Sequence, residues 1–447
     1  MLFLFLSLLS LPVFFHEFTG EGEFKTVGCL EAAGGYFAVL SARESWQSSP
    51  RTNLFYLDYQ GTSTLSYYLG GFLEPLEVCQ FAGKKTIVCR DRTSDSTVLI
   101  QVGGANSVPA VFPEEFLGGV FMEPMAGGIT LAGNDLPGDG EVRTAFLDDQ
   151  LTVLSDQLYP ECVMDVADVS YIDGETCVLG SSGQSGWQSD IVLFFPSSLE
   201  QYHYQPQTGR FTPVCILPLE DGCMVAANAM TDQNGMVGEI FVMRLDGNMT
   251  VQWTAWLGGE SWVNAASAAA TGEGMAVAGW TNDLPFSETD RSDLLLLEYS
   301  SQGDLLWTRE YGGGTPDYGL SIGTCSDGGF MVSGCFSDYL YQGLLLRTDS
   351  TGSLEGQGIQ GPDDTGRYLS VMSNPSLEGT ITVDLVREPA PGISVLVIDM
   401  TGRTVARTMA NSCTVSFHGL PAGVYTVVAL GGESVYRVSA AVLGGAE

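Results

Sequence analysis

The sequence predicts an all-β chain: a seven-bladed β-propeller followed by a small Ig-like β-sandwich. Three observations lead there. A short apolar strand behind a Gly- or Asp-bearing turn recurs seven times at near-constant spacing. A second apolar strand follows each recurrence across a polar loop. The period stops after Gly366, where a denser run of alternating strands begins.

The recurring strands are "GGYFAVLS" (34–41), "KKTIVCR" (84–90), "GGITLAGN" (127–134), "DGETCVLGS" (173–181), "DGCMVAANA" (221–229), "GEGMAVAGW" (272–280) and "DGGFMVSGC" (327–335). One anchor position from each falls at 41, 88, 133, 180, 227, 279 and 334, so successive intervals are 47, 45, 47, 47, 52 and 55. After each anchor comes a polar loop and a strand such as "TNLFYLDYQG" (52–61) or "SDLLLLEYSSQG" (292–303), and a fourth strand is clear in "VQWTAWLGG" (251–259). Four antiparallel strands per unit at this period match a propeller blade, and closing the ring removes sheet edges. An open β-solenoid or two sandwiches satisfy the same period. "GPDDTGRYLSV" (361–371) resembles the start of one more unit, a candidate closing strand or bridge.

At the N-terminus, residues 2–15 form an apolar run of export-signal length, which places a signal peptide at 1–19 and the propeller at 20–366. No Lys or Arg precedes the run and no A-x-A-like site follows it; the same residues also read as a buried first strand. A linker is expected at 367–373. The stretch 374–447 packs about seven short strands into roughly 70 residues, the density of an Ig-like sandwich.

Composition excludes some partners. With 18 Lys+Arg against 53 Asp+Glu the formal net charge is −35, which repels phosphate backbones, so no nucleic-acid partner is expected. Ten cysteines without a C-x-x-C, and only three histidines, give no metal framework. Cys79/Cys89 and Cys325/Cys335 occupy equivalent columns of two units. Folding each hairpin about its turn does not set either pair opposite, so cross-strand disulfides and free buried thiols both remain open.

The unit "YGGGTPDYGLSIGTCSDGGFMVSGC" (311–335) resembles the propeller-like repeats of large exported proteins of Gram-negative bacteria. The C-terminal stretch resembles the sorting domain of the type IX secretion system. The matching residues are Asn374 and Pro375, Asp399 with Gly402 and Arg403, then Leu420 with Gly423, Val424 and Tyr425. That resemblance implies an export address read by the type IX machinery, and a secreted or outer-membrane-anchored protein at the cell surface. The ending "YRVSAAVLGGAE" departs from the Lys-containing last strand of the family, with Arg437 in the Lys role. An accessory Ig-like domain without an export role is the alternative.

Catalytic constellations are scarce, and a non-catalytic protein is expected. "GLSIG" (319–323) fits G-x-S-x-G, but Ser321 lies in a strand with no helix after it. His16 and His418 fall in the terminal segments and leave only His203 in the repeats. "SSQGDLLW" (300–307) lacks the Asp and Gly of a sialidase box at the required places and reads as a tight turn. No cofactor is expected; acidic side chains on the loops, such as Asp135, Asp139, Asp283, Asp290 and Asp293, are candidates for Ca²⁺, without the spacing of an EF-hand.

The positive signal is positional. In an antiparallel four-stranded unit the loops after the second and fourth strands share one rim. On those loops lie Trp46, Trp187, Trp280, Tyr339 and Tyr341, with Trp262 and Tyr318. Aromatic rings beside Asp, Asn and Gln suit a glycan or a surface protein, although the same rings can plug gaps between blades. A binding module is therefore expected, with a polysaccharide-active enzyme or a structural adhesion protein as alternatives.

Overall fold

The structure is a computed structural model. It describes residues 14–353 and 369–442 except 19–22, 33, 44–47, 60–62, 95, 104–105, 112–115, 117–119, 136–139, 185–187, 206–208, 231–237, 259–261, 283–291, 313–315, 338–340, 373–379, 386–393, 400–403, 410–413, 422 and 432–433. Among the described residues every regular element is a strand, so the protein is all-β. Among the described residues no helix is long and apolar enough to cross a membrane.

After β1 (Phe14–Phe18), strands assemble in fours. β2 (Glu23–Ala32), β3 (Gly35–Arg43), β4 (Arg51–Leu57) and β5 (Ser63–Tyr68) pair in that order. β6 (Leu73–Phe81), β7 (Lys84–Asp91), β8 (Ser96–Gly103) and β9 (Asn106–Val111) repeat the arrangement. β10 (Val120–Met125), β11 (Gly128–Asn134) and β12 (Gly140–Leu147) pair with the first half of β13 (Val153–Ile172). β13 then runs on without a break, and its second half opens the next unit with β14 (Glu175–Gln184), β15 (Gln188–Phe195) and β16 (Glu200–Tyr204). Two further units are β17 (Arg210–Pro218), β18 (Cys223–Met230), β19 (Gly238–Leu245), β20 (Val251–Leu257), and β21 (Trp262–Ala270), β22 (Gly274–Asn282), β23 (Ser292–Ser300), β24 (Leu305–Tyr311).

The last unit holds β25 (Asp317–Thr324), β26 (Phe330–Ser337) and β27 (Tyr341–Arg347). Its fourth strand is β1, from the other end of the repeat region: Phe14 stands opposite Arg347 and Phe18 opposite Gly343. Phe14–Phe18 lies inside the span read as an export signal. Of the segment 361–371, read as a possible closing strand, the last three residues belong to a strand, Leu369–Met372, that pairs elsewhere.

The opening strands neighbour one another in a closed cycle: β2, β6, β10, β13, β17, β21, β25 and β2 again. This is a ring of β-propeller type. Burial falls from the inside outwards, which explains the weak alternation in the sequence. β11 is buried at every residue, whereas β24 is largely exposed. Hydrophobic clusters sit between adjacent sheets. Ala276, Ala278, Leu294 and Leu296 pack against Ile322, Phe330, Val332 and Leu346 of the next unit, each fully buried Leu contributing roughly 2 kcal/mol. The same kind of seam joins first and last units, where Tyr36, Ala38 and Leu40 meet Met331 and Leu345.

Polar contacts reinforce that closing seam. Arg347 is completely buried, pairs with Asp327 and donates from Nε to Tyr36 Oη at 3.2 Å. The Ser326 amide and hydroxyl donate to Glu31 at 2.6 and 2.8 Å. The Asp-Gly-Gly of residues 327–329 is thereby explained letter by letter. Asp327 holds Arg347; Gly328 takes φ +83°, which suits glycine; and a side chain on Gly329 would strike the Arg347 guanidinium.

The remaining strands form two sheets. β28 (Leu369–Met372), β29 (Ile381–Leu385) and a later strand make one; β30 (Ser394–Asp399) and β31 (Thr404–Met409) belong to the other. The later strand is β32 (Thr414–Phe417), and β33 (Gly423–Gly431) with β34 (Ser434–Val442) completes the order β31-β30-β33-β34. Val383, Phe417, Val397 and Val427 share one core between them. β28 lies inside the span read as a linker and pairs with β29.

Candidate functional site

In an antiparallel unit, the start of the first strand, the end of the second and the start of the third meet at one rim. Lys25 and Tyr318 stand near the starts of β2 and β25, Trp280 near the end of β22, and Tyr341 opens β27. They converge there. The Trp280 and Tyr318 rings lie edge to face with centroids 5.5 Å apart. Tyr318 and Tyr341 follow at 6.3 Å, and the Lys25 ammonium sits 4.5 Å from the Tyr341 ring centroid. All three rings are half-buried and Lys25 is exposed.

These aromatic residues stand on strand ends rather than in loops, because pairing continues through them: Trp280 is opposite both Asn264 and Leu294. Trp262 is held apart from the arc. Its indole covers Gly238 of the preceding unit so closely that a side chain there has no room, and it fills a seam between sheets. Trp46, Trp187 and Tyr339 lie outside the described residues.

Next to the arc, between β2, β3, β6 and β25, opens a recess of about 330 Å³. Its apolar wall includes Val27, Leu76 and Leu320. Each is the extra residue of a β-bulge in an opening strand, with register shifts at Thr26/Gly28, Pro75/Glu77 and Gly319/Ser321. The polar wall carries Glu23, Lys25, Ser41, Arg43 and Glu74. Glu74 is held by two arginines, Arg43 at 3.1 Å and Arg92 Nε at 2.6 Å.

The same bulge recurs at Val166/Asp168, Pro213/Cys215 and Ala265/Ser267. A bulge leaves backbone groups without ladder partners, and side chains from the preceding opening strand take up amides of the next. Met122 N donates to Glu77 Oε2 at 2.8 Å, Ile216 N to Asp168 Oδ2 at 2.8 Å, and Ile322 N to Ser267 Oγ at 3.4 Å. Asp168 Oδ1 also accepts Val169 N at 2.8 Å.

Three of these strands thus bring acids together. Burial pushes the Asp168 carboxyl up to about 7, despite its two amide donors. Burial, then the Asp168 charge, takes Glu123 to about 7. Glu77 is raised by burial first and by Asp168 and Glu123 after it, against the lowering effect of the Met122 amide. With both oxygens bound by backbone, Asp168 is built as a structural acid.

The other candidates are placed as follows. Ser321 lies in β25 at its bulge. His203 Nδ1 is 3.7 Å from Asp190, and His418 Nδ1 is 3.1 Å from Thr380 Oγ1. Ser300 Oγ accepts the amides of Gln302 and Asp304, forming the turn expected of "SSQGDLLW". Asp135 accepts the Glu141 amide at 2.8 Å and Asp293 lies in β23, while Asp139, Asp283 and Asp290 are outside the described residues. Among the described residues no group of three or more His, Cys, Asp or Glu is set to hold a metal ion. The nine described cysteines are free and buried; Cys79 pairs in register with Thr86, and Cys89 with Pro75.

In the C-terminal module Leu420 is buried, Gly423 opens β33, and Asp399 ends β30 opposite Tyr425. Tyr425 is buried and donates to the Pro421 carbonyl at 2.7 Å. Asn374, Pro375, Gly402 and Arg403 lie outside the described residues. Sequence reasoning passed over Lys25, Arg43, Glu77, Glu123 and Asp168. The concentration of basic residues between 25 and 92 was a visible signal for the first two. Nothing in the repeat period marked the bulges that place the acids.

No family model matches the chain, and no curated protein does. Among solved structures it is similar to the AfRom2 CNH domain, at 8% identity and a TM-score of 0.46, covering 75% of this chain and 99% of that one. It is also similar to Kluyveromyces lactis Hsv2, at 11% identity and a TM-score of 0.37, covering 64% of this chain and 98% of that one. Both likenesses are too distant to carry function.

Proposed function

We propose that the chain is an exported seven-bladed β-propeller that serves as a non-catalytic binding module for a glycan on the cell surface. The rim holding Trp280, Tyr318, Tyr341 and Lys25 is its ligand site. The carrying observation is their convergence beside a recess large enough for a sugar residue. The C-terminal two-sheet module is read as an Ig-like type IX sorting domain that delivers the propeller to the surface. Its supports are the residue matches at Asp399, Leu420, Gly423 and Tyr425 and the two-sheet core around Tyr425.

A glycan array probed with the full chain and with Trp280→Ala tests the ligand site. Saturable binding that the variant loses while still folded is the expected result; turnover of a bound glycan, or no binding at all, sinks the reading. Export is tested separately by deleting residues 369–447 in a type IX-competent host, where the truncated protein is expected to stay in the periplasm.

A further inference from the structure

The first two sheets break the charge balance of the chain. Overall 53 acidic residues face 18 basic ones, yet seven of the 18 basic residues fall between 25 and 92. Five of those seven, Lys25, Arg43, Arg51, Arg90 and Arg92, stand at or just beyond strand ends on the rim that carries the recess. The described acids on this stretch of rim are Glu23, Glu74 and Asp91. Glu74 is taken up by Arg43 and Arg92, and Asp91 accepts the Thr93 amide at 2.8 Å. Among the described residues no carboxylate pairs with Lys25, whose ammonium is exposed over Tyr341.

On a chain of net charge −35 this is the place where a negative group meets the weakest repulsion. A neutral sugar would gain little from cations at the end of an aromatic row. A sugar with a carboxylate or sulfate uses both, the ring against the aromatics and the anion in charge-assisted hydrogen bonds. A nucleic acid, charged at every residue, would run on into the acidic remainder of the surface.

Resting on the binding-module reading above, we propose that the ligand of this rim is an acidic polysaccharide. Its sugar rings lie along Trp280, Tyr318 and Tyr341, and an anionic substituent reaches Lys25 and Arg43.

The test is titration of the full chain with polygalacturonate, with the neutral polymer made by reducing its carboxyl groups, and with a sulfated galactan. Lys25→Gln and Lys25→Arg are titrated alongside. Wild type is expected to bind the uronate or the sulfated polymer at least about tenfold more tightly than the neutral one. Lys25→Gln should lose about tenfold on the acidic polymer and clearly less on the neutral one, and Lys25→Arg should keep most of the affinity. Which acidic polymer binds decides between carboxylate and sulfate. Equal binding of acidic and neutral polymers, or an unaltered Lys25→Gln, overturns the charge preference and leaves glycan binding standing. Array binding to neutral glycans alone does the same. Failure to bind any glycan removes both readings, and stronger binding to a phosphorylated peptide replaces the polysaccharide with a protein ligand. Because Lys25 is exposed, an unchanged melting curve of Lys25→Gln is the check on folding.

Discussion

Asp168 and Ile216 stand on opening strands of neighbouring sheets, and the carboxylate of the first accepts the backbone amide of the second at 2.8 Å. The contact exists because each strand carries a β-bulge at this level, and the side chain beyond one bulge satisfies an amide beside the next. Glu77, itself just beyond a bulge, accepts the Met122 amide of β10, which pairs without one. Opening strands that are not ladder partners of one another are tied in this way at the inner wall of the ring.

These acids set a pH dependence. The folded state raises Asp168 and Glu123 to about 7, whereas in an unfolded chain they titrate near about 4. A carboxyl whose folded pKa is raised contributes stability that is complete below about pH 4 and is lost as pH rises through about 7. Calorimetry from pH 4 to pH 8 should therefore show melting temperature falling across that window. Glu123→Gln should raise it at pH 8 by a degree or more, leave it unchanged at pH 4, and flatten the slope. A steeper slope in the variant would contradict the assignment.

The closing seam rests on one buried cation. Arg347 pairs with Asp327 and reaches Tyr36 on the first unit, so Arg347→Met removes the cation facing the Asp327 carboxylate and should cost about 3–5 kcal/mol. Gly329→Ala pushes a methyl into the same guanidinium and into the Thr348 carbonyl, with an expected loss of about 1–3 kcal/mol from overpacking. Urea unfolding measures both, and a wild-type midpoint for either would dismiss the seam as a stabilising contact.

The thiols give a chemical test. All nine described cysteines are free and buried, and burial pushes their pKa values up, so little thiolate forms near neutral pH. Native protein treated with iodoacetamide should leave these nine unmodified by mass spectrometry, and the same reagent in urea should modify all nine. Rapid native labelling of Cys79 or Cys89 would mean that their seams open.

In the C-terminal module, Tyr425→Phe keeps the ring and deletes the hydrogen bond to the Pro421 carbonyl. A loss of about 0.5–1.5 kcal/mol is expected, read by urea unfolding followed through NMR signals of β33 and β34. A larger loss would point to a role in core packing, since the ring is kept.

The sequence by itself determined the all-β class, the four-stranded unit and its period, because turn glycines and aspartates recur where each hairpin must reverse. It also marked the rim aromatics Trp280, Tyr318 and Tyr341, whose place follows from strand polarity alone. Only the tertiary structure decided that Phe14–Phe18 completes the last sheet, since that pairing joins residues far apart in the chain. Only it separated Trp262, packed on Gly238, from the arc it resembles in sequence. Only it brought Glu77, Glu123 and Asp168 into one field. A bulge shifts a side chain by one register position and leaves no trace in a repeat of some 45 to 55 residues, so the acids that tie the inner wall were legible only once the strands were in register.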